Sequence, residues 1–381
     1  MIRNTHSFTA LAAVLALSAM PAAAAETFFT LDARGDVGYD SNPFLAEGGD
    51  TAAATFGLRL TPQFTARAAT STTVVTGTLA RTEYSRRFDA AEDYGIDLSH
   101  QNQVTERLGI NLNAGISDTR SSFLEPEDLD INAAGRRRRS YDVGGSFSWQ
   151  QDARSSWTGG ASFQRSEYPG DDLGLSDFDS LSGNLAYNRV LSSQTTVGIQ
   201  MAVTRTTSDF YPDSTIYQPR LTLVHQFNEA WSLDAGVGVS FQRSRFNGRS
   251  DNSRTLAASA NLCRTDPRST LCVGASRDTA PSGLGGTQRF DQVSADYSYR
   301  LTELGSARFN ASYSRSRSEN FTAVSPDVDY AQATASYEHT LSPRTGVGVS
   351  ASYRYRDYDR IGSTDGYGGT VFLRHRFGRT Q

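Results

Sequence analysis

The sequence predicts an all-β fold: a transmembrane antiparallel β-barrel of the outer-membrane type, with about eighteen strands. Three observations carry that prediction. Apolar and polar residues alternate with period two in segment after segment, the signature of strands with one oily face. The connections alternate between short turns and long polar loops. The first 25 residues have the build of an export signal.

That first segment carries Arg3, an apolar stretch from Phe8 to Met20, and Ala23 and Ala25 in an A-x-A pattern before Glu26. It reads as a signal peptide over 1–25, leaving 26–381 as a single barrel domain. A short membrane anchor is the alternative, but the apolar run falls short of the ~20 residues a spanning helix needs.

Alternating strands then follow at 28–39, 52–65, 72–86, 92–103, 106–119, 139–151, 154–167, 176–189 and 194–207. The second half continues at 214–227, 230–244, 252–263, 270–277, 288–301, 305–317, 327–340, 344–357 and 365–377. In the first, Phe29, Leu31, Ala33, Val37 and Tyr39 share a face; in the seventeenth, Val347, Val349, Ala351, Tyr353 and Tyr355 do. The weakest segment is 270–277, so sixteen strands is the alternative count. An even number is what closure with both termini on one side requires.

Turns such as QDARSS and LSPRT are short, whereas DSNPFLAEGGDTA and SDTRSSFLEPEDLDINAAGRRRR are long. Outer-membrane barrels have short periplasmic turns and long extracellular loops. A secreted soluble β-sandwich has no reason to show that asymmetry. Aromatic residues gather near strand ends, as interfacial girdles would require, although aromatics are also common in strands generally. Mean hydropathy is −0.46 and net charge −4. Such values fit a barrel, which hides apolar residues in alternate positions.

All 37 basic residues are arginine, which excludes lysine-based chemistry. The two cysteines, Cys263 and Cys272, flank a segment containing Asp266-Pro267 and are expected to form a disulfide across a hairpin. The five histidines are scattered, so neither a metal nor a cofactor is expected. No G-x-S-x-G elbow and no H-E-x-x-H motif appears, and the chain is not expected to be an enzyme or to bind nucleic acid.

With the apolar faces toward lipid, the alternate positions line a lumen. They include Arg59, Arg220, Arg300, Arg308, Arg354, Arg356, Arg374 and Arg376, with Asp32, Asp36, Asp97, Asp142 and Glu338 among them. A ladder of guanidiniums would offer weak carboxylate sites along a pore. The competing reading pairs each arginine with a lumen acid as bracing of the wall, with Asp32 and Asp36 beside the last strand on closure. The run Arg136, Arg137, Arg138 and Arg139 sits in the longest loop. It reads as a solvated face, as a contact for lipopolysaccharide phosphates, or as a constriction folded inward.

The stretch GDVGYDSNPFLAEGGDTAAATFGLRLTPQF resembles the opening of the β-barrel porin 2 family. The positions that carry the resemblance are Tyr39, Asp40, Ser41, Asn42, Phe44 and Pro62, with Pro43 inserted before the aromatic. The resemblance implies an outer-membrane barrel associated with exopolysaccharide export. Its expected partners are outer-membrane lipid, lipopolysaccharide, a polysaccharide substrate and periplasmic export proteins. A general diffusion porin for small solutes and a structural or adhesive barrel are the alternatives.

Overall fold

The computed structural model describes residues 26–46, 48–49, 51–86, 88–120, 137–170, 176–208, 212–246, 248–281, 287–318, 327–359 and 362–378. The expected signal peptide lies outside the described residues.

Eighteen antiparallel strands form one closed sheet. They are β1 (Glu26–Asp40), β2 (Ala53–Arg67), β3 (Ser71–Tyr84), β4 (Ala91–Thr105), β5 (Leu108–Thr119) and β6 (Arg138–Gln150). Next come β7 (Ser155–Glu167), β8 (Phe178–Ser192), β9 (Thr195–Ser208), β10 (Asp213–Gln226), β11 (Trp231–Phe246) and β12 (Arg249–Thr265). The last are β13 (Ser269–Pro281), β14 (Thr287–Arg300), β15 (Gly305–Ser318), β16 (Val328–Ser342), β17 (Thr345–Tyr358) and β18 (Gly362–Gly378). Each strand pairs with its sequence neighbours, and β1 pairs with β18 from Thr30↔Gly378 to Asp40↔Gly368. The sheet therefore has no free edge. That closure lets strands cross a membrane, where an unpaired backbone group finds no partner. β13 is a full member, so the count is eighteen and not sixteen.

The register confirms which face is which. Phe56, Leu58, Ile96, Leu181, Ile199, Leu221 and Leu373 are each at least half exposed and lie on the outer face. A protein folding in water would bury them; here they form the belt that meets lipid. Among the described residues the largest fully buried side chain is instead an arginine, Arg354, at 1% exposure. The short turns are locally determined. In the turn after β10, Asn228 Oδ1 accepts the backbone N–H groups of Ala230 and Trp231, both at 2.9 Å. In the turn after β12, Asp266 and Ser269 exchange backbone bonds at 2.7 and 3.3 Å.

Where the outer face leaves the apolar belt at the long-loop end, it becomes charged. Arg81 bonds Glu83 and Glu92, Arg165 bonds Glu167, Arg277 bonds Asp291, and Arg315 bonds Asp329. These pairs join residues on one strand or on neighbouring strands, at the level where a bilayer gives way to headgroups.

Candidate functional site: the lumen and its mouth

The segment that follows β1 folds into the barrel. Asn42 shapes it: its side chain accepts from the Ala46 N–H at 2.8 Å and donates to the Ala46 carbonyl at 3.0 Å. Leu45 adopts a positive φ of 48°, and its N–H returns to the Asn42 carbonyl at 3.2 Å. This tight turn presents Leu45 to Phe290, Val328 and Tyr330, which project inward from β14 and β16 and form a small buried apolar cluster with it. Phe44 packs on the other side against Tyr84 and Phe88, with ring centroids 5.3 and 5.0 Å away.

Two arginines of β17 hold the turn in place. Arg354 donates to the Pro43 carbonyl at 2.9 Å and to the Asp40 carboxylate. Arg356 donates to the Leu45 carbonyl at 2.6 Å. Thr364 of β18 donates to the same carbonyl at 3.3 Å. Gly366 leaves the space: a Cβ there would lie 2.9 Å from the Asn42 carbonyl oxygen. The mouth is thus narrowed by residues 41–46 along the arc from β14 round to β3.

For the Arg136–Arg139 run, read as a solvated face, a lipopolysaccharide contact or an inward constriction, the structure divides the residues. Arg136 lies outside the described residues. Arg137 and Arg139 turn to the outer face, where both bond Asp118, at 2.7 and 2.9 Å. Arg138 takes the alternate, lumen-side position of β6. The apolar face of β5 and β6 simply continues into charge there, and that continuation draws Arg137 and Arg139 outward.

The other sequence-selected arginines occupy lumen-side positions and divide into two groups. One group is tied to acids. Arg376 bonds Asp32 at 3.1 Å across the closing seam, and Arg374 bonds Glu338 at 2.7 Å. Arg220 of β10 bonds Asp278 of β13 at 2.6 Å, and Gln218 donates to the same carboxylate at 2.6 Å. That pair bridges two intervening strands over Gly238 and Ala257, small residues that leave the inner wall clear. The second group, Arg34, Arg59, Arg300 and Arg308, has no ion pair among the described residues. Arg34 lies over the Phe372 ring at 3.9 Å.

Register brings three arginines into line. Arg34 is directly opposite Arg374 on one side and Arg59 on the other. Adjacent strands are about 4.8 Å apart, so the row spans roughly 10 Å of inner wall. Like charges directly opposite are unfavourable in a sheet. Glu338 contacts Arg374, and Asp36 lies two residues from Arg34 on the same face, so two carboxylates offset three guanidiniums and the row keeps a net attraction for a passing anion. On β4 and β6 the field reverses: Asp97 and Asp142 flank Gly115, whose Cβ would lie 2.9 and 2.5 Å from their carboxylate oxygens. Cys263 and Cys272 are directly opposite in register, on the lumen-side face near the short turn, and are joined in a disulfide.

No family model matches the sequence, and no curated protein matches it. The resemblance to β-barrel porin 2 therefore rests on the Tyr39–Phe44 stretch and strand rhythm alone. Solved structures do match. OccK2 (OpdF) of Pseudomonas aeruginosa is similar at 13% identity and a TM-score of 0.50, over 93% of this chain and 99% of that one. A BenF-like porin from Pseudomonas fluorescens Pf-5 is similar at 12% identity and 0.51, over 93% and 99%. OpdO of P. aeruginosa is similar at 13% and 0.51, over 93% and 98%. With its closed wall, outward apolar belt and inward charge, the chain has the fold of outer-membrane porins.

Proposed function

We propose that the barrel is a passive outer-membrane channel for small anionic solutes, with no catalytic step. The observation that carries the reading is the Arg374–Arg34–Arg59 row on the inner wall. Guanidinium groups bind carboxylates through paired N–H donors, and a water-filled lumen keeps each contact weak enough to release. The solved OccK2 complex holds glucuronate and a solved OpdK complex holds vanillate, both small carboxylates. The inward turn at residues 41–46 favours small solutes over a polymer.

Passage of exopolysaccharide, together with periplasmic export partners, is the second reading. What favours it is the Tyr39–Phe44 stretch, whose structural use here is to narrow the mouth.

Planar-bilayer recording separates the two. Wild-type channels are expected to be anion-selective and to be blocked by monomeric carboxylates. A charge at contact distance in water is worth about 1 kcal/mol. Replacing Arg34, Arg59 and Arg374 with Gln therefore raises the half-blocking concentration by about tenfold or more. Unchanged selectivity and block would overturn the proposal. Block by long anionic oligosaccharides and not by monomers would favour the polymer.

A further inference from the structure

We infer that the outer face of β8–β11, at its long-loop end, is a binding site for a phosphorylated, multiply acylated glycolipid of the outer leaflet, of the lipid A type. The charged rim described above is paired around most of the barrel, and over this arc it is not. Arg205 of β9 and Arg243 and Arg245 of β11 are exposed, lie on the outer face, and have no ion pair among the described residues. Arg205 and Arg243 are both directly opposite Thr215 of β10, so their backbones stand about 10 Å apart with one hydroxyl between them. Guanidinium reach lets them converge above Thr215. Arg254 of β12 follows on the same face, its guanidinium 5.7 Å from the Phe241 ring centroid. Among the described residues the acids on this face are Asp213, opposite Arg245, and Asp179 of β8. Asp179 lies 3.9 Å from Arg165.

The three arginines, with Thr215 and Asp213, line one part of a depression of about 680 Å³ on the lipid-facing surface. Its sides are Leu181, Val203 and Tyr217, and Ala161 and Gly183 form a floor without bulk. A Cβ on Gly183 would meet nothing nearer than 3.8 Å, so the floor is open. Tyr217 and Phe241 mark the aromatic edge of the apolar belt, and Arg243 comes two residues beyond Phe241. Two strand residues advance about 7 Å, the step from acyl chain to headgroup. The patch therefore stacks an apolar groove for chains beneath a cationic cluster for phosphate. Arginine is suited to that task because its planar donors grip phosphate oxygens in pairs. Charge complementarity selects this occupant over a second copy of the barrel, whose paired rim is acidic and basic in alternation.

The test uses the full barrel, extracted in detergent, stripped of lipid, and titrated with bisphosphorylated hexa-acyl lipid A under native mass spectrometry. Wild type is expected to retain lipid A and to bind the dephosphorylated lipid at least about tenfold more weakly. Arg205→Gln, Arg243→Gln and Arg245→Gln combined should show the same loss for the phosphorylated form. The corresponding triple Lys variant should keep most of the binding. Arg315→Gln, on another arc, should leave it intact. Heat-modifiable gel migration verifies that each variant is folded. Equal retention by the Gln variant, indifference to phosphate, or barrel dimers in place of lipid adducts would each overturn the inference.

Discussion

A guanidinium in the wall of a water-filled barrel has no need to be buried, so the burial of Arg354 calls for a cause. The cause is the turn it holds: Asp40 neutralises it, and the Pro43 carbonyl takes a second donor. Removing one member of a buried charge pair costs roughly 3–5 kcal/mol when the surroundings stay in place. Here they need not, because the turn can swing away into solvent. Replacing Arg354 and Arg356 together with Ala is therefore expected to release residues 41–46 and to raise single-channel conductance, with the barrel still folded. Unchanged conductance and unchanged current noise would mean that Leu45 and its apolar partners hold the turn unaided. Arg220 is a different case. It is tied to Asp278 across two strands, so Arg220→Gln should change selectivity less than the same change at Arg59, as reversal potentials in a salt gradient will show.

Pro62 of β2 and Pro219 of β10 lie on the lipid face, and each is answered by a glycine on a neighbour. Pairing of β2 with β3 skips Thr61 and Pro62, and a Cβ on Gly77 would sit 2.9 Å from the Pro62 ring. Pairing of β10 with β11 skips Gln218 and Pro219, and a Cβ on Gly238 would lie 2.1 Å from the Pro219 carbonyl oxygen. Proline cannot donate to the ladder, so the neighbouring strand must come close without a side chain in the way. Gly77→Val is expected to cost about 1–3 kcal/mol by overpacking and to lower the urea midpoint of the vesicle-reconstituted barrel, with conductance retained. The disulfide acts on the β12–β13 hairpin, spanning only 9 positions of sequence. In the loop-entropy account a closure that short is worth about 2–3 kcal/mol. Cys263→Ser with Cys272→Ser should accordingly lower the same midpoint and leave the channel open. Outward histidines recur at the short-turn end, each held by a threonine on the neighbouring strand: Thr73–His100, Thr195–His225 and Thr345–His375, at 2.8, 2.9 and 2.9 Å. They read as interface residues of the girdle.

At the scale of the whole molecule the wall was legible in the sequence, because a period of two assigns every residue to lipid or lumen once a few are assigned. The eighteen strands, both faces and the placement of Asp32 against Arg376 all follow from that rule. The inward turn did not, because its contacts join residues 311 positions apart and no periodicity reports them. The available cue was local: Asn42-Pro43 followed at once by Phe44 and Leu45, two large apolar residues in a loop rich in Asp, Glu and Gly. Asp278 was missed for a related reason, since its partner lies beyond the neighbouring strands. The unpaired rim arginines were within reach, because Arg205 and Arg243 keep the parity of Val203 and Phe241 past the end of the apolar run. Selectivity from the lumen arginines should fade with salt, since the Debye length shrinks from about 10 Å at 0.1 M to about 3 Å at 1 M. A permeability ratio independent of ionic strength would place the filter in contact geometry alone.

The turn that narrows the mouth also has a history in time. It follows the first strand, yet its anchors belong to the seventeenth and eighteenth. While the sheet is still growing, those donors are absent and residues 42–46 have only the packing of Phe44 and Leu45 to hold them. The wide ring comes first and its aperture is set only when the seam shuts. A chain cut short before β17 would then carry its turn without the polar clamp that fixes the opening.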